Sequence, residues 1–133
     1  MATVNVDPQI SALEPVSTKR EITVLPSASY SATQDLEFKA HAGNSLIVIL
    51  DITTNGGSTV QVVIKGVDPA SGKLYTILTG TAVVSTNSTT VYRVSPHLTA
   101  AAGSIVQDLV PKTVHITVTT TAAATFSVGA ITI

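Results

Sequence analysis

Apolar and polar positions alternate along most of this chain. Val60, Val62 and Ile64 are interleaved with Gln61 and Lys65, and Val114, Ile116 and Val118 with Thr113, His115 and Thr117. Phe126, Val128 and Ala130 repeat the pattern near the C-terminus. A period of two sends one set of side chains toward a core and the other toward water, as in a half-buried strand. Thr, Val and Ile are abundant, Thr most of all, and their stiff branched side chains favour a pleated backbone. The pattern predicts strands near 20–25, 35–40, 45–53, 58–66, 73–79, 81–85, 89–94, 112–120 and 124–132. The unbroken apolar run Leu46–Leu50 predicts a central strand buried on both faces.

Turn chemistry separates these segments. Asn55-Gly56-Gly57 offers the positive φ angles of a tight hairpin between two strong strands. Asp68-Pro69-Ala70-Ser71-Gly72 reads as a proline-initiated turn closed by glycine, and Thr86-Asn87-Ser88 as a weaker hairpin. A helical turn or two is the most that Pro96–Ala102 allows, and Val110-Pro111 ends a long connection over 95–111. Many short strands with so little helix predict an all-β fold, an antiparallel β-sandwich of Ig-like or jelly-roll-like form. Residues 1–18 carry two prolines and weak alternation, which predicts an extended N-terminal arm ahead of a sandwich domain over 19–133.

Length and composition narrow the function. A chain of 133 residues fits one domain and buries about two-thirds of its unfolded surface. Charged residues are only 11%, against the roughly 25% usual for a soluble domain. A surface so poor in charge and rich in Thr, Ser and Ala suits packing against a neighbour. Net charge is −1 with no basic stripe, and the five aromatics Tyr30, Phe38, Tyr75, Tyr92 and Phe126 are dispersed. Nucleic acid is therefore not an expected partner. The absence of cysteine removes disulfides, thiolate metal sites and cysteine nucleophiles. Neither a signal peptide nor an apolar run of bilayer length is visible, so synthesis in the cytoplasm with no membrane partner is the expectation.

Few residues invite chemistry. His41, His97 and His115 are far apart, and none forms a zinc-type pair. Asp35 and Glu37 share one strand face, where a solvent-facing edge explains them more simply than general acid–base work. Asp51 and Asp108 stand alone, and Asp68 is placed to accept backbone N–H groups in its turn. The densest stretch offers one carboxylate, too few for calcium. Gly80, Gly103 and Gly129 frame no nucleophile elbow. The segments 43–45 and 56–58 read as turns, and Gly72-Lys73 precedes a strand where a phosphate loop needs a helix. No catalytic, cofactor-binding or metal-binding residue is expected.

Four segments resemble a family of small tailed-bacteriophage virion structural proteins. Ile64-Lys-Gly-Val-Asp-Pro-Ala-Ser-Gly-Lys-Leu-Tyr-Thr-Ile-Leu78 resembles the family's "Q/KGxDPxSGKYYTLL". Thr90-Val-Tyr-Arg-Val-Ser-Pro-His-Leu-Thr99 is similar to "TTxYRVYPGLT", Asp108–Thr113 to "DVLPRTW", and Phe126-Ser-Val-Gly-Ala130 to "YSVGAS". Order and spacing agree over about half of the chain. His97 replaces a glycine of the pattern, and Val114-His115 an aromatic. The resemblance implies a structural product of phage head and tail genes without catalytic residues, and implies a virion protein more firmly than a position in the particle.

Together with the low charge and the arm, it leads to an expected capsid decoration or cement protein on the virion surface, not an enzyme. The expected partner is the major capsid protein, and a homo-oligomer, a trimer at three-fold positions, is the expected state. Head–tail joining, tail-tube or tail-tip roles are the alternatives. A carbohydrate-binding module is a weaker one, because Trp and a clustered aromatic platform are missing.

Overall fold

Branched side chains on alternate positions leave each strand with one apolar face, and two sheets stacked through those faces are the simplest way to bury them all. The computed structural model describes residues 20–40 and 45–133, and among these it contains strands, turns and no helix. The predicted arm over 1–18 lies outside the described residues.

The strands are β1 (Arg20–Tyr30), β2 (Gln34–Lys39), β3 (Leu46–Thr54), β4 (Val60–Val67), β5 (Leu74–Thr79), β6 (Ser88–Val94), β7 (Ile105–Val106), β8 (Thr113–Thr120) and β9 (Ala124–Thr132). One sheet runs β1-β9-β3-β6-β7 and the other β2-β8-β4-β5. Antiparallel pairs nest inside one another: β4 with β5, β3 with β6, β2 with β8, and β1 with β9. β4–β5 is the hairpin at the centre of the nest. Most other connections between long strands cross from one sheet to the other, which is the jelly-roll arrangement and not the Ig-like one. β7 adds two residues parallel to β6 at the open edge.

The inner faces interlock into one core. Leu46, Val48, Leu50 and Ile52 from β3 and Phe126, Val128 and Ala130 from β9 meet Val60, Val62 and Ile64 from β4 and Val114, Ile116 and Val118 from β8. Tyr92 and Phe126 are the largest fully buried side chains. The Tyr92 hydroxyl donates to the Thr81 carbonyl at 3.3 Å, so the ring is buried without orphaning its polar tip.

Several expectations change in detail. The segment 81–85 forms only an isolated bridge, Val83 to Val60, because the chain is there crossing between sheets. β7 is too short to show a period. β1 runs past the predicted end at residue 25 and carries Pro26. It is an edge strand with two register shifts, a place where a missing N–H is tolerated. The Tyr30 hydroxyl donates to the Pro26 carbonyl, and its ring packs on Phe126 with centroids 4.9 Å apart.

Asn55-Gly56-Gly57 does supply positive φ, 58° and 78° at the glycines, but it joins β3 to β4 across the two sheets and is no hairpin. The buried Asn55 side chain decides this. Its Oδ1 accepts from the Gly57 N–H and the Thr86 hydroxyl, and its Nδ2 donates to the Val84 carbonyl. The corner is thereby tied to the β5–β6 connection. By contrast, Asp68–Gly72 closes a hairpin as expected, with Gly72 at φ 75°. Residues 96–102 form turns and no helix.

Leu46–Leu50 is central, between β9 and β6, yet only its inner side chains are fully buried; Ile47 and Ile49 on the outer face are half-buried. The expectation of burial on both faces is corrected, because the sandwich has no third layer against this sheet among the described residues. Ile52→Ala should therefore cost about 2–5 kcal/mol, and Ile49→Ala about 1 kcal/mol or less, in urea unfolding. Equal costs would contradict this assignment of faces.

Candidate functional site

Cross-strand register brings the ionisable residues of the second sheet together. On its outer face Glu37 of β2 pairs with His115 of β8, which pairs with Lys65 of β4. Asp35 lies one row away opposite Thr117. His115 stands between two carboxylates: Nδ1 is 3.5 Å from Asp35 Oδ1, and Nε2 is 3.8 Å from Glu37 Oε1. Both separations exceed a hydrogen bond, and Nδ1 has no partner. The carboxylates are counterbalanced from elsewhere. Lys39 Nζ lies 3.6 Å from Glu37 Oε2 and donates to Thr113 Oγ1, and the Thr117 hydroxyl donates to Asp35 Oδ1 at 3.2 Å.

This trio is the one gathering of candidate residues that sequence reasoning missed. Each strand's alternation sends these side chains outward, but the β2–β8 register that makes them neighbours joins positions about 80 residues apart. The two imidazole nitrogens face different carboxylates, so no single point lies within ligand distance of all three groups. Among the described residues no group of three His, Asp or Glu side chains is disposed to hold a metal ion. The trio lies on an open sheet face: the two carboxylates are half exposed, while His115 is mostly covered and its Nδ1 is buried.

The other candidates stay apart. His41 lies outside the described residues, as do positions 43 and 44 of the 43–45 turn. His97 is exposed in a turn, its N–H donating to Ser95 Oγ. Asp51 accepts from Thr89 Oγ1 at 3.4 Å, and Asp108 from the N–H of Leu109. Asp68 has the turn-setting role expected of it: its carboxylate accepts from the Ala70 N–H and the Ser71 hydroxyl, both at 2.9 Å. These bonds favour the charged form and hold the carboxyl below the ordinary Asp range, the Ala70 N–H contributing most. Burial pushes the Tyr92 phenol up.

A cleft of about 320 Å³ opens at the end of the sandwich where the β4–β5 turn approaches the β7–β8 connection. Val67, Pro69 and Tyr75 form one wall, and Pro111, Lys112 and Thr113 the other. A Cβ on Gly66 would lie 2.5 Å from the Tyr75 ring, so glycine is what lets the ring approach β4 this closely. Tyr75 is 46% exposed. Such a lining, with two prolines, one aromatic ring and one ammonium, can bind but holds no acid, base or nucleophile pair. Of the other four rings, Tyr92 and Phe126 are buried and Tyr30 and Phe38 are half-buried and packed against the core, so none stands exposed beside Tyr75 as a sugar-stacking partner.

No protein-family model matches this sequence, and no curated protein matches it significantly. Among solved structures, the SPBc2 prophage-derived protein YomS is similar, with a TM-score of 0.51 and 16% identity, over 86% of this chain and 91% of that one. A chain from infectious bursal disease virus, Gt strain, is matched at TM-score 0.46 and 18% identity, and this chain spans only 31% of its length. A xylan-binding domain of family 22 is matched at TM-score 0.44 and 12% identity, over 90% of this chain and 88% of that one. At these identities the first likeness establishes a shared β-sandwich fold, and the two weaker ones add nothing to it.

Asp68 supplies a pH test. A carboxyl whose folded value lies below its unfolded value stabilises the turn above the ordinary Asp range, and that contribution fades as pH falls through the lower folded value. Exchange protection of the Ala70 amide should therefore hold at neutral pH and drop below about pH 4. Asp68→Ala should remove it at all pH values. Protection that is flat with pH in the unsubstituted protein would contradict the role given to this carboxylate.

Proposed function

We propose that this chain is a structural component of a tailed-bacteriophage virion, acting on the head surface as a decoration or cement protein, with no catalytic role. One observation carries the reading. Two of the four phage-like segments, 64–78 and 108–113, are distant in sequence yet converge on the end cleft, and all six of its lining residues come from them. Other phage-like positions serve the framework: Tyr92 and Phe126 fill the core, and Asp68 sets the hairpin. A virion protein that works by adhesion needs a rigid module and a contact point, and this pattern supplies both.

The cleft's chemistry suits a protein segment. Proline and tyrosine walls offer apolar contact at low entropic cost, and Lys112 can meet a carboxylate or a carbonyl of the partner. The major capsid protein is the partner we propose. Weak contacts repeated over a lattice suffice for tight attachment. The likeness to a prophage-derived protein of similar length accords with a phage origin.

The test mixes purified protein with phage heads lacking it, then measures binding, survival on heating and position by electron microscopy. Binding to the head surface with a gain in heat resistance is expected. Density confined to the tail or the head–tail joint would move the protein there, and failure to bind would remove the cement role. Tyr75→Ala should leave the melting temperature within about 2 °C, because the ring is exposed, while weakening attachment at least about fivefold, on the order of 1 kcal/mol. Removing residues 1–18 should likewise keep the melting temperature and weaken attachment. Unchanged attachment in either variant would deny that element its role.

A further inference from the structure

The outer faces of the two sheets differ in kind. That of β2-β8-β4-β5 carries Asp35, Glu37, His115, Lys65, Gln61 and threonines, with the aliphatic Val63 among them. That of β1-β9-β3-β6 has an aliphatic centre: Ile131 beside Ile47, and Gly129 beside Ile49 beside Val91. These four aliphatic side chains are half-buried and stand apart from the core, with which the inner residues of the same strands pack.

The arrangement of this face is self-complementary. Across the sheet, one row reads Glu21, Ile131, Ile47, Arg93; the next Thr23, Gly129, Ile49, Val91; and the third places Ser127 beside Asp51 and Thr89. Glu21 and Arg93 are exposed, and among the described residues neither is in an ion pair. A two-fold axis lying in the face, parallel to the strands and between β9 and β3, exchanges β1 with β6 and β9 with β3. It sets Glu21 of one copy against Arg93 of the other, Ile131 against Ile47, and Ser127 against Asp51. Ile49 of each copy then faces Gly129 of its partner. The space above Gly129 is open: a Cβ built there meets nothing closer than the Ile22 carbonyl at 3.9 Å. Glu21 and Arg93 find opposite charges, Ile49 finds the hollow above Gly129, Ile131 and Ile47 make apolar contact, and the Ser127 hydroxyl meets the Asp51 carboxylate.

We propose that this face is where two copies of the chain pair about that two-fold axis, sheet on sheet. The proposal takes two-fold closure over the three-fold expected from the sequence, because an isologous contact must be self-complementary and this face is. It does not depend on the virion reading. Stacked sheets cross at about 30°, which tilting the axis about 15° from the strand direction provides; the central rows stay in register and the long Glu21 and Arg93 side chains span the offset at the margins. The patch is on the order of 300–400 Å² in projection. That is smaller than the roughly 800 Å² per partner of a standard interface, so the pair is weak and reversible.

Sedimentation velocity and light scattering on the full chain, from about 10 µM to 1 mM, test this against a dissociation constant on the order of 100 µM. A monomer–dimer equilibrium is expected. Arg93→Glu should weaken pairing at least about fivefold, and the double swap Glu21→Arg with Arg93→Glu should restore it to within about twofold. Gly129→Val should abolish pairing by filling the hollow without lowering the melting temperature, since valine suits a strand and the site has room. A monomer throughout the range, a trimer, or a dimer indifferent to these substitutions would overturn the proposal. So would loss in Arg93→Glu with no recovery in the double swap. Pairing seen only after residues 1–19 are removed would show that the chain's own leading segment covers the face, and would also overturn it.

Discussion

The inner faces of β3, β9, β4 and β8 must all meet in one layer, and the remaining features follow from that requirement. Each of these strands carries an unbroken series of buried apolar side chains on alternate positions. A one-residue slip in any of them would turn the whole series toward water. Register is therefore strongly set at the centre of both sheets. The edge strands are freer and hold most of the irregularities, the shifts around Pro26 in β1 and the bulge between Ile64 and Lys65 where β5 joins β4. The central β3–β9 pair shifts only near its end, between Ile52 and Thr54.

Nesting of the pairs has a second effect. It puts most connections at the ends of the sandwich, where they cross between sheets and must be tied by side chains. Asn55 does this at one end, linking its corner to Val84 and Thr86. At the other end the Asp68 hairpin and the Pro111 connection approach each other and leave the cleft between them. A stiff core thus presents two broad sheet faces and one recessed end. The carboxylates Asp35 and Glu37 are half exposed on one of these faces, with the imidazole of His115 mostly covered between them.

The contrast between the two outer faces shows how register creates surface chemistry. Asp35, Glu37 and His115 are unremarkable in the chain and become neighbours only through β2–β8 pairing. Ile47 and Ile49 had an evident signal, the continuous run Leu46–Leu50, but the run does not say what covers its outer side. Burial by a third layer and contact with another molecule leave the same mark on a sequence, since both reward apolar side chains on the second face.

The chain's own pattern determined the all-β class, eight of the nine strands, the turn at Asp68–Gly72 and the alternating core positions of β4, β8 and β9. These follow from local periodicity and from backbone preferences that act over a few residues. Only tertiary structure decided which strands pair, and with that the jelly-roll nesting, the corner role of Asn55–Gly57, the short strand β7, the trio around His115 and the cleft at Tyr75. Those depend on contacts between positions tens of residues apart, whose free energy comes from closing the core as a whole and has no local record in the order of the amino acids.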